Sequence, residues 1–391
     1  MDEQETVLEN RRFGIYLRTV REDRKLSLDA VEEMSVGFPE RITKSHLSRI
    51  ETGQAVPTFP RMFALSQIYG VPIASLAERF ETDLRTEMAP PERTEWTAAD
   101  LQAEYEHLRQ TGDYGRALSL IATLRDRARA DAVAVPVPRQ RLTRWAIACL
   151  LHLERYESAK IECELLLGDA ELDPAERLPI LLYFVSCCYR LKRYTIAKMG
   201  LALAEDFARS SPPAPKLVAD IEDVRAAVHY ALGALDEAAQ SFESASTLFA
   251  AIPAPFDACR CQINLSQILI DRQDFDGAAT KLRAALTLTE ESGYDRLRAL
   301  VYSHLAVIAL HKRDLETAES YAIRSNSIAR PREYLSLIFR NCYQLREVAR
   351  QRGDVAAARA NERSLKAYLG RVDTDLPEAV AFRKELEEGR R

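Results

Sequence analysis

Nothing in these 391 residues comes near the roughly 18–20 consecutive apolar positions that a membrane helix needs. The opening residues, Met1-Asp2-Glu3-Gln4-Glu5, are acidic with no apolar run behind them, so no secretory signal and no membrane partner is expected. Cysteine is scarce and odd in number. The seven are spread as Cys149, Cys163, Cys187, Cys188, Cys259, Cys261 and Cys342, without a C-x-x-C pair or histidines at zinc-finger spacing. A disulfide framework and a metal site are therefore not expected, and a cytoplasmic setting is. Glycine and proline are few, 14 and 17, and β-branched runs are short, which disfavours sheets and favours helices. No H-E-x-x-H, G-x-S-x-G, G-x-G-x-x-G or phosphate-cradling glycine loop occurs, so neither an enzyme nor a cofactor is expected. The six histidines are scattered. His304 and His311 lie seven apart and can share a helical face, but no third ligand is near in sequence.

What the chain does have begins with a short segment, Thr43 to Gly53. Thr43 is a good helix N-cap, and Gly53 suits the left-handed turn that ends a helix. Leu47 and Ile50 form a thin apolar seam, while Lys44, Ser45, Ser48 and Arg49 face elsewhere and offer hydrogen-bond donors. Alone, this is an ordinary amphipathic helix; its neighbours change that. Arg12 to Arg24 carries a seam of Phe13, Tyr16, Leu17 and Val20. Ser27 opens a second helix with Leu28, Val31 and Met34. Pro57 to Tyr69 predicts a fourth ending at Gly70, and Ile73 to Phe80 a fifth. Residues 10–80 hold 11 Lys and Arg against 8 Asp and Glu, although the whole chain carries −5. A small net positive charge permits a nucleic-acid partner without proving one.

Five short helices with a donor-rich third one resemble the lambda-repressor-like (XRE-type) helix-turn-helix domain, through "RTVREDRKLSLDAVEEM", "ITKSHLSRIETG" and "VPTFPRMFALSQIYGVPIASL". The resemblance covers residues 10–80. It implies that the third helix enters the major groove of double-stranded DNA, with Lys44, Ser45, Ser48 and Arg49 toward base edges. It also implies Ser27, Thr43, Gln54 and Arg61 toward phosphates, and a structural pair between Arg21 and Glu51. His46 stays open between base contact and packing. The stretch Phe38-Pro39-Glu40-Arg41 is about four residues longer than the family's tight turn, and it either forms a tolerated loop or brings Arg41 to the DNA backbone. A protein-binding relic of such a domain is the other reading.

An acidic tail at 1–9 precedes this unit, and 81–95, with Ala89-Pro90-Pro91, predicts a stiff linker after it. Beyond Trp96 the chain repeats. A polar turn, an aromatic or aliphatic residue and an alanine three further on recur at Ala117, Ala159, Ala197, Ala238, Ala278, Ala318 and Ala358, with spacings of 42, 38, 41, 40, 40 and 40. A near-constant period of this size signals stacked helix pairs, the small alanine allowing the second helix close to the first. Prolines such as Pro136, Pro138, Pro174, Pro179, Pro253 and Pro255 are expected between units. The pattern looks like tetratricopeptide repeats. The expected fold is all-α: a five-helix DNA-binding domain, then a right-handed α-solenoid of about seven pairs over 96–372, closed by a capping helix over 373–391.

In tetratricopeptide repeats the first helix of each pair lines a groove. The inward stripe of the fifth unit would then be Arg260, Asn264, Gln267 and Asp271, and that of the seventh Arg340, Gln344 and Glu347, with Tyr183, His304 and His311 at related places. Amides and charges are costly to bury, so these stripes are expected to face a ligand or water. Asn264 suits an extended peptide, since one side-chain amide satisfies both a backbone N–H and a C=O. The combination is similar to the RRNPP group of peptide-sensing, quorum-sensing bacterial transcription regulators. That resemblance implies a homodimer whose repeats bind a short peptide. The alternative is a repeat scaffold for a protein partner, such as a response regulator or sigma factor, with DNA binding secondary.

Overall fold

The computed structural model describes residues 11–88, 96–129, 137–372 and 376–388. Among them there are helices and turns and no strand, in two compact units. One unit is built from residues up to Tyr105 and from Tyr114 to Leu191. The other takes Glu106–Asp113 and everything from Lys192 onward. The acidic tail predicted at 1–9 lies outside the described residues.

In the first unit, α1 (Arg11–Asp23), α2 (Leu28–Met34), α3 (Lys44–Glu51), α4 (Phe59–Tyr69) and α5 (Ile73–Met88) surround one core of Phe13, Leu17, Val31, Ile42, Leu47 and Leu65. Side-chain hydroxyls open three of these helices. Ser27 accepts from the Ala30 amide at 3.0 Å, Thr43 from His46 at 3.2 Å and Thr58 from Arg61 at 3.4 Å. Gly70, at φ +61°, ends α4 in the left-handed region. Gly14 lets α1 run directly against the end of α3, where an added Cβ would collide with the Ile50 and Glu51 carbonyls. The extra stretch before α3 is anchored rather than loose: Phe38 packs edge-on against Phe63 at 6.2 Å.

The predicted end of the fifth helix at Phe80 and the linker from residue 81 are both corrected. α5 continues to Met88, because its second half has a surface to bury against; residues 89–95 lie outside the described residues. α7 (Tyr114–Arg129), α8 (Arg139–His152), α9 (Tyr156–Leu167) and α10 (Pro174–Arg190) stack in order, after α6 (Ala98–Thr111). α5 lies on α7 and α9, and Ile161 of α9 joins the α1–α5 core. Polar contacts fix the seam. Ser158 donates to Glu78 at 2.7 Å, Arg155 to Thr82 Oγ1 at 2.9 Å, and Arg125 to Glu162 at 3.1 Å. Arg79 lies over the Tyr16 ring at 5.5 Å. Burial pushes the Tyr16 hydroxyl pKa up, so it stays protonated.

The second unit continues the series: α11 (Tyr194–Ser210), α12 (Pro215–Ala231), α13 (Leu235–Ala250), α14 (Pro255–Asp271), α15 (Phe275–Ser292), α16 (Asp295–His311), α17 (Leu315–Ala329), α18 (Leu335–Arg352) and α19 (Val355–Tyr368). Six repeat alanines, Ala117 to Ala318, are buried; Ala358 is half-buried because α19 belongs to the last pair and little packs over it. Every turn inside a pair holds one left-handed residue, at Gly112, Glu154, Lys192, Gly233, Gln273, Arg313 and Gly353. In three turns the next residue, Asp274, Asp314 or Asp354, caps the second helix through its carboxylate at 2.9–3.1 Å. Pro174, Pro215 and Pro255 begin helices, but Pro179 sits inside α10, against the expectation that it separates units. Pro136 lies outside the described residues. Within the predicted capping segment, α20 (Pro377–Glu388) lies on α18, with Phe382 against Phe339 and Glu378 3.2 Å from Arg340.

Candidate nucleic-acid interface

The helix α3 is held from behind and left open in front. Leu47 and Ile50 are buried in the core, and Glu51 closes the helix on a buried, two-pronged pair with Arg21. Its front is polar. Thr43, Lys44, Ser45 and Arg49 are exposed, Ser48 and His46 half-buried, and Ser27 and Gln54 exposed on the flanks. Ser27 and Thr43 already use a hydroxyl lone pair as helix caps, which places both at helix N-termini, where amides and dipole favour an anion.

His46 lies beside Arg61. Its Nε2 lies 3.2 Å from Nη1 of Arg61, so a neutral ring accepts that hydrogen bond and aims the guanidinium. Burial, then the charges of Arg61 and Arg49, hold the His46 pKa below its usual value, which keeps the ring neutral. Arg61 also pairs with Glu40 at 3.4 Å. Arg41, in the extra stretch, lies 2.8 Å from Glu32, and Lys44 is 2.9 Å from Asp29. Arg49 has no ion pair among the described residues. These three acids were not among the predicted site residues; in sequence Asp29, Glu32 and Glu40 all precede Arg41, Lys44 and Arg61, so no local pattern pairs them.

The predicted repeat groove is less open than expected. His304 and Gln344 are buried between neighbouring first helices, which pack side by side at this period instead of parting. His304 Nδ1 lies 3.5 Å from Ser266 Oγ, and Gln344 donates to the Ser303 carbonyl at 3.3 Å. Burial, aided by Arg340, lowers the His304 pKa to about 3. Much of the remaining stripe is satisfied internally. Arg260 is held by Asp223 at 2.8 Å, and Asp271 accepts from Gln267 and from Tyr230, each at 2.7 Å. Arg340 pairs with Glu378, and Glu347 with Arg346 at 2.8 Å. Tyr183 belongs to the other unit. Asn264 is half-buried and its amide makes no hydrogen bond among the described residues. His311 is exposed, stacks on Phe275 at 4.6 Å, and with Leu310, Arg313, Glu347 and Gln351 borders a cleft of about 580 Å³. That cleft brings His311 and Glu347 together and leaves Asn264 out.

No three His, Cys, Asp or Glu side chains among the described residues are grouped to hold a metal. No described helix is long and apolar enough to cross a membrane.

Residues 12–79 match the family described as "Helix-turn-helix domain". No curated protein matches the chain. Among solved structures, a Rap protein complexed with competence and sporulation factor aligns with 97% of this chain and 100% of its own, at 14% identity and a TM-score of 0.50. Aspartyl phosphate phosphatase F from Bacillus subtilis aligns over 100% and 95%, at 12% identity and 0.47. PlcR from Bacillus thuringiensis, solved with the peptide PapR7 and DNA, aligns over 73% and 97%, at 14% identity and 0.41. The chain thus joins an N-terminal helix-turn-helix domain to an all-α array of tetratricopeptide-like helix pairs.

Proposed function

We propose that the chain is a sequence-specific, non-enzymatic DNA-binding transcription regulator. One observation carries this: the matched helix-turn-helix segment presents Lys44, Ser45, Ser48 and Arg49 on the open face of α3, while the back of that helix is locked into the core. Lys44 and Arg49 are suited to donate to guanine O6 and N7, and Ser45 and Ser48 to either partner of a base pair. Ser27, Thr43, Gln54, Arg41 and Arg61 flank that face, where phosphate contacts would set register. Selection of bound fragments from a random duplex pool tests the reading. An enriched motif that binds in gel shifts supports it; a pool that stays random removes it.

The repeats are proposed to pair two copies and to sense a ligand, a short peptide being the first candidate. A single helix-turn-helix unit buries little surface on DNA, so two half-sites about one helical turn (~34 Å) apart are expected. The cleft beside His311 and Glu347 and the amide of half-buried Asn264, without a hydrogen bond among the described residues, support ligand binding in the second unit. Light scattering that gives the mass of one chain, with and without the selected DNA, removes the dimer.

A further inference from the structure

Three cations of the proposed DNA-reading face are already held by carboxylates of the same unit. Lys44 Nζ lies 2.9 Å from Asp29 Oδ2, Arg41 Nη2 donates to Glu32 Oε1 at 2.8 Å, and Arg61 Nε lies 3.4 Å from Glu40 Oε2. Two of the acids do a second task. Glu32 Oε2 accepts from the Lys44 backbone amide at 2.8 Å, at the N-terminus of α3, and Glu40 Oε2 accepts from Thr58 Oγ1 at 2.7 Å, at the N-cap of α4. Protein carboxylates therefore occupy the kind of partner an anionic duplex would otherwise offer: beside a lysine, beside arginines and at helix starts. Arg49 is the cation of this face without an ion pair among the described residues.

We infer that Asp29, Glu32 and Glu40 are specificity-determining residues, built-in counter-anions that suppress binding to DNA of the wrong sequence. The inference rests on the DNA-binding reading above. Exposed pairs of this kind are weak and exchange readily, so they do not block a site that offers good base contacts. They do change what a random duplex gains. Non-specific affinity comes from free cations that neutralise phosphates and release counterions. A lysine already neutralised by Asp29 releases little, because the displaced carboxylate then takes up a cation of its own. Among the described residues, a random duplex meets Arg49 as the unpaired cation of this face, whereas the correct site compensates the exchange through base edges. The net charge of only +3 over residues 10–80 agrees with a face that relies little on bulk charge.

The test is to measure affinity for a random duplex and for the selected sequence, across salt, in wild type and in Asp29→Asn, Glu32→Gln and Glu40→Gln. Each variant should bind the random duplex about threefold or more tightly at low salt, and its log–log salt slope should steepen by roughly one. Affinity for the selected sequence should rise less, so discrimination falls. Glu32→Gln keeps an oxygen for the Lys44 amide, and Asp29→Asn leaves the caps untouched, so melting temperatures should stay close to wild type. Asp29→Asn decides the matter if either glutamine variant unfolds. Unchanged or weaker random-duplex binding with an unchanged slope, in a protein that still binds its selected sequence, overturns the inference alone. A wild type that selects no sequence overturns the DNA-binding reading and the inference with it.

Discussion

Arg21 and Glu51 meet inside the helix-turn-helix unit through two parallel hydrogen bonds, Nε to Oε1 at 2.7 Å and Nη2 to Oε2 at 2.8 Å. Arg21 also donates from Nη1 to the Leu26 carbonyl at 2.8 Å, so one guanidinium ties the end of α3 to the turn between α1 and α2. Both side chains are nearly buried, which makes the pair costly to break from one side. Arg21→Ala should lose about 3–5 kcal/mol, since it strands the Glu51 carboxylate. Replacing both with a leucine and a methionine should lose much less. Chemical denaturation followed by circular dichroism checks the difference; equal losses would mean that the pair itself, not the stranded charge, dominates.

Arg49 should matter more than Lys44 for operator binding. Both are exposed on α3, but Lys44 must first leave Asp29 while Arg49 has no ion pair among the described residues. Arg49→Ala should cost about 1–3 kcal/mol on the selected sequence, and Lys44→Ala clearly less. Gel shifts at one fixed salt concentration would show the order, and a larger loss for Lys44 would contradict it.

His304 gives the fold an acid-sensitive point. Its folded pKa, about 3, lies below the unfolded value of 6.5, so the unfolded chain binds the proton more readily. The stabilisation is therefore complete above pH 6.5 and falls as pH drops toward 3, by about 1.4 kcal/mol per unit. His304→Asn should flatten this slope in urea titrations; a slope of the same size in that variant would place the effect elsewhere.

The left-handed residues of the repeat turns should respond in opposite directions. Gln273, at φ +64°, and Arg313, at φ +60°, hold a conformation that costs a side-chain-bearing residue roughly 1–2 kcal/mol. Gln273→Gly and Arg313→Gly should each gain up to about 1 kcal/mol, part of it cancelled by greater freedom of the unfolded chain. Gly233 has open space around it, so Gly233→Ala should lose a similar amount through backbone conformation alone. Melting temperatures of the three variants settle the signs.

The sequence pattern carried the repeat architecture because a buried alanine and a turn left-handed at each 40-residue step are local requirements. Only three of those seven turns show glycine, so the strain at Glu154, Lys192, Gln273 and Arg313 left no mark in the letters. The length of α5 was hidden for another reason. Thr82 and Asp83 read as a polar helix end, but both are buried, and Thr82 accepts from Arg155, 73 positions away. The groove failed similarly: Asn264, His304 and Gln344 occupy equivalent positions, yet how far neighbouring first helices part is decided by packing along the array. The ion pairs beside α3 left no mark in the sequence, because Asp29, Glu32 and Glu40 meet Lys44, Arg41 and Arg61 at separations of 15, 9 and 21 residues, across turns rather than along one helix.

The unbroken α5 bears on how this protein can be divided. Cutting after Phe80 would sever a helix in mid-course and uncover the surface that Ile161 and Leu165 complete. An isolated fragment of residues 10–80 should therefore be loose or prone to aggregation. In the intact chain, amide hydrogens of α1 and α3 should exchange with solvent together with those of α9, through one shared opening event. A perturbation that loosens α9 should then be felt as melting of the helix-turn-helix unit, since α5 runs unbroken between the two.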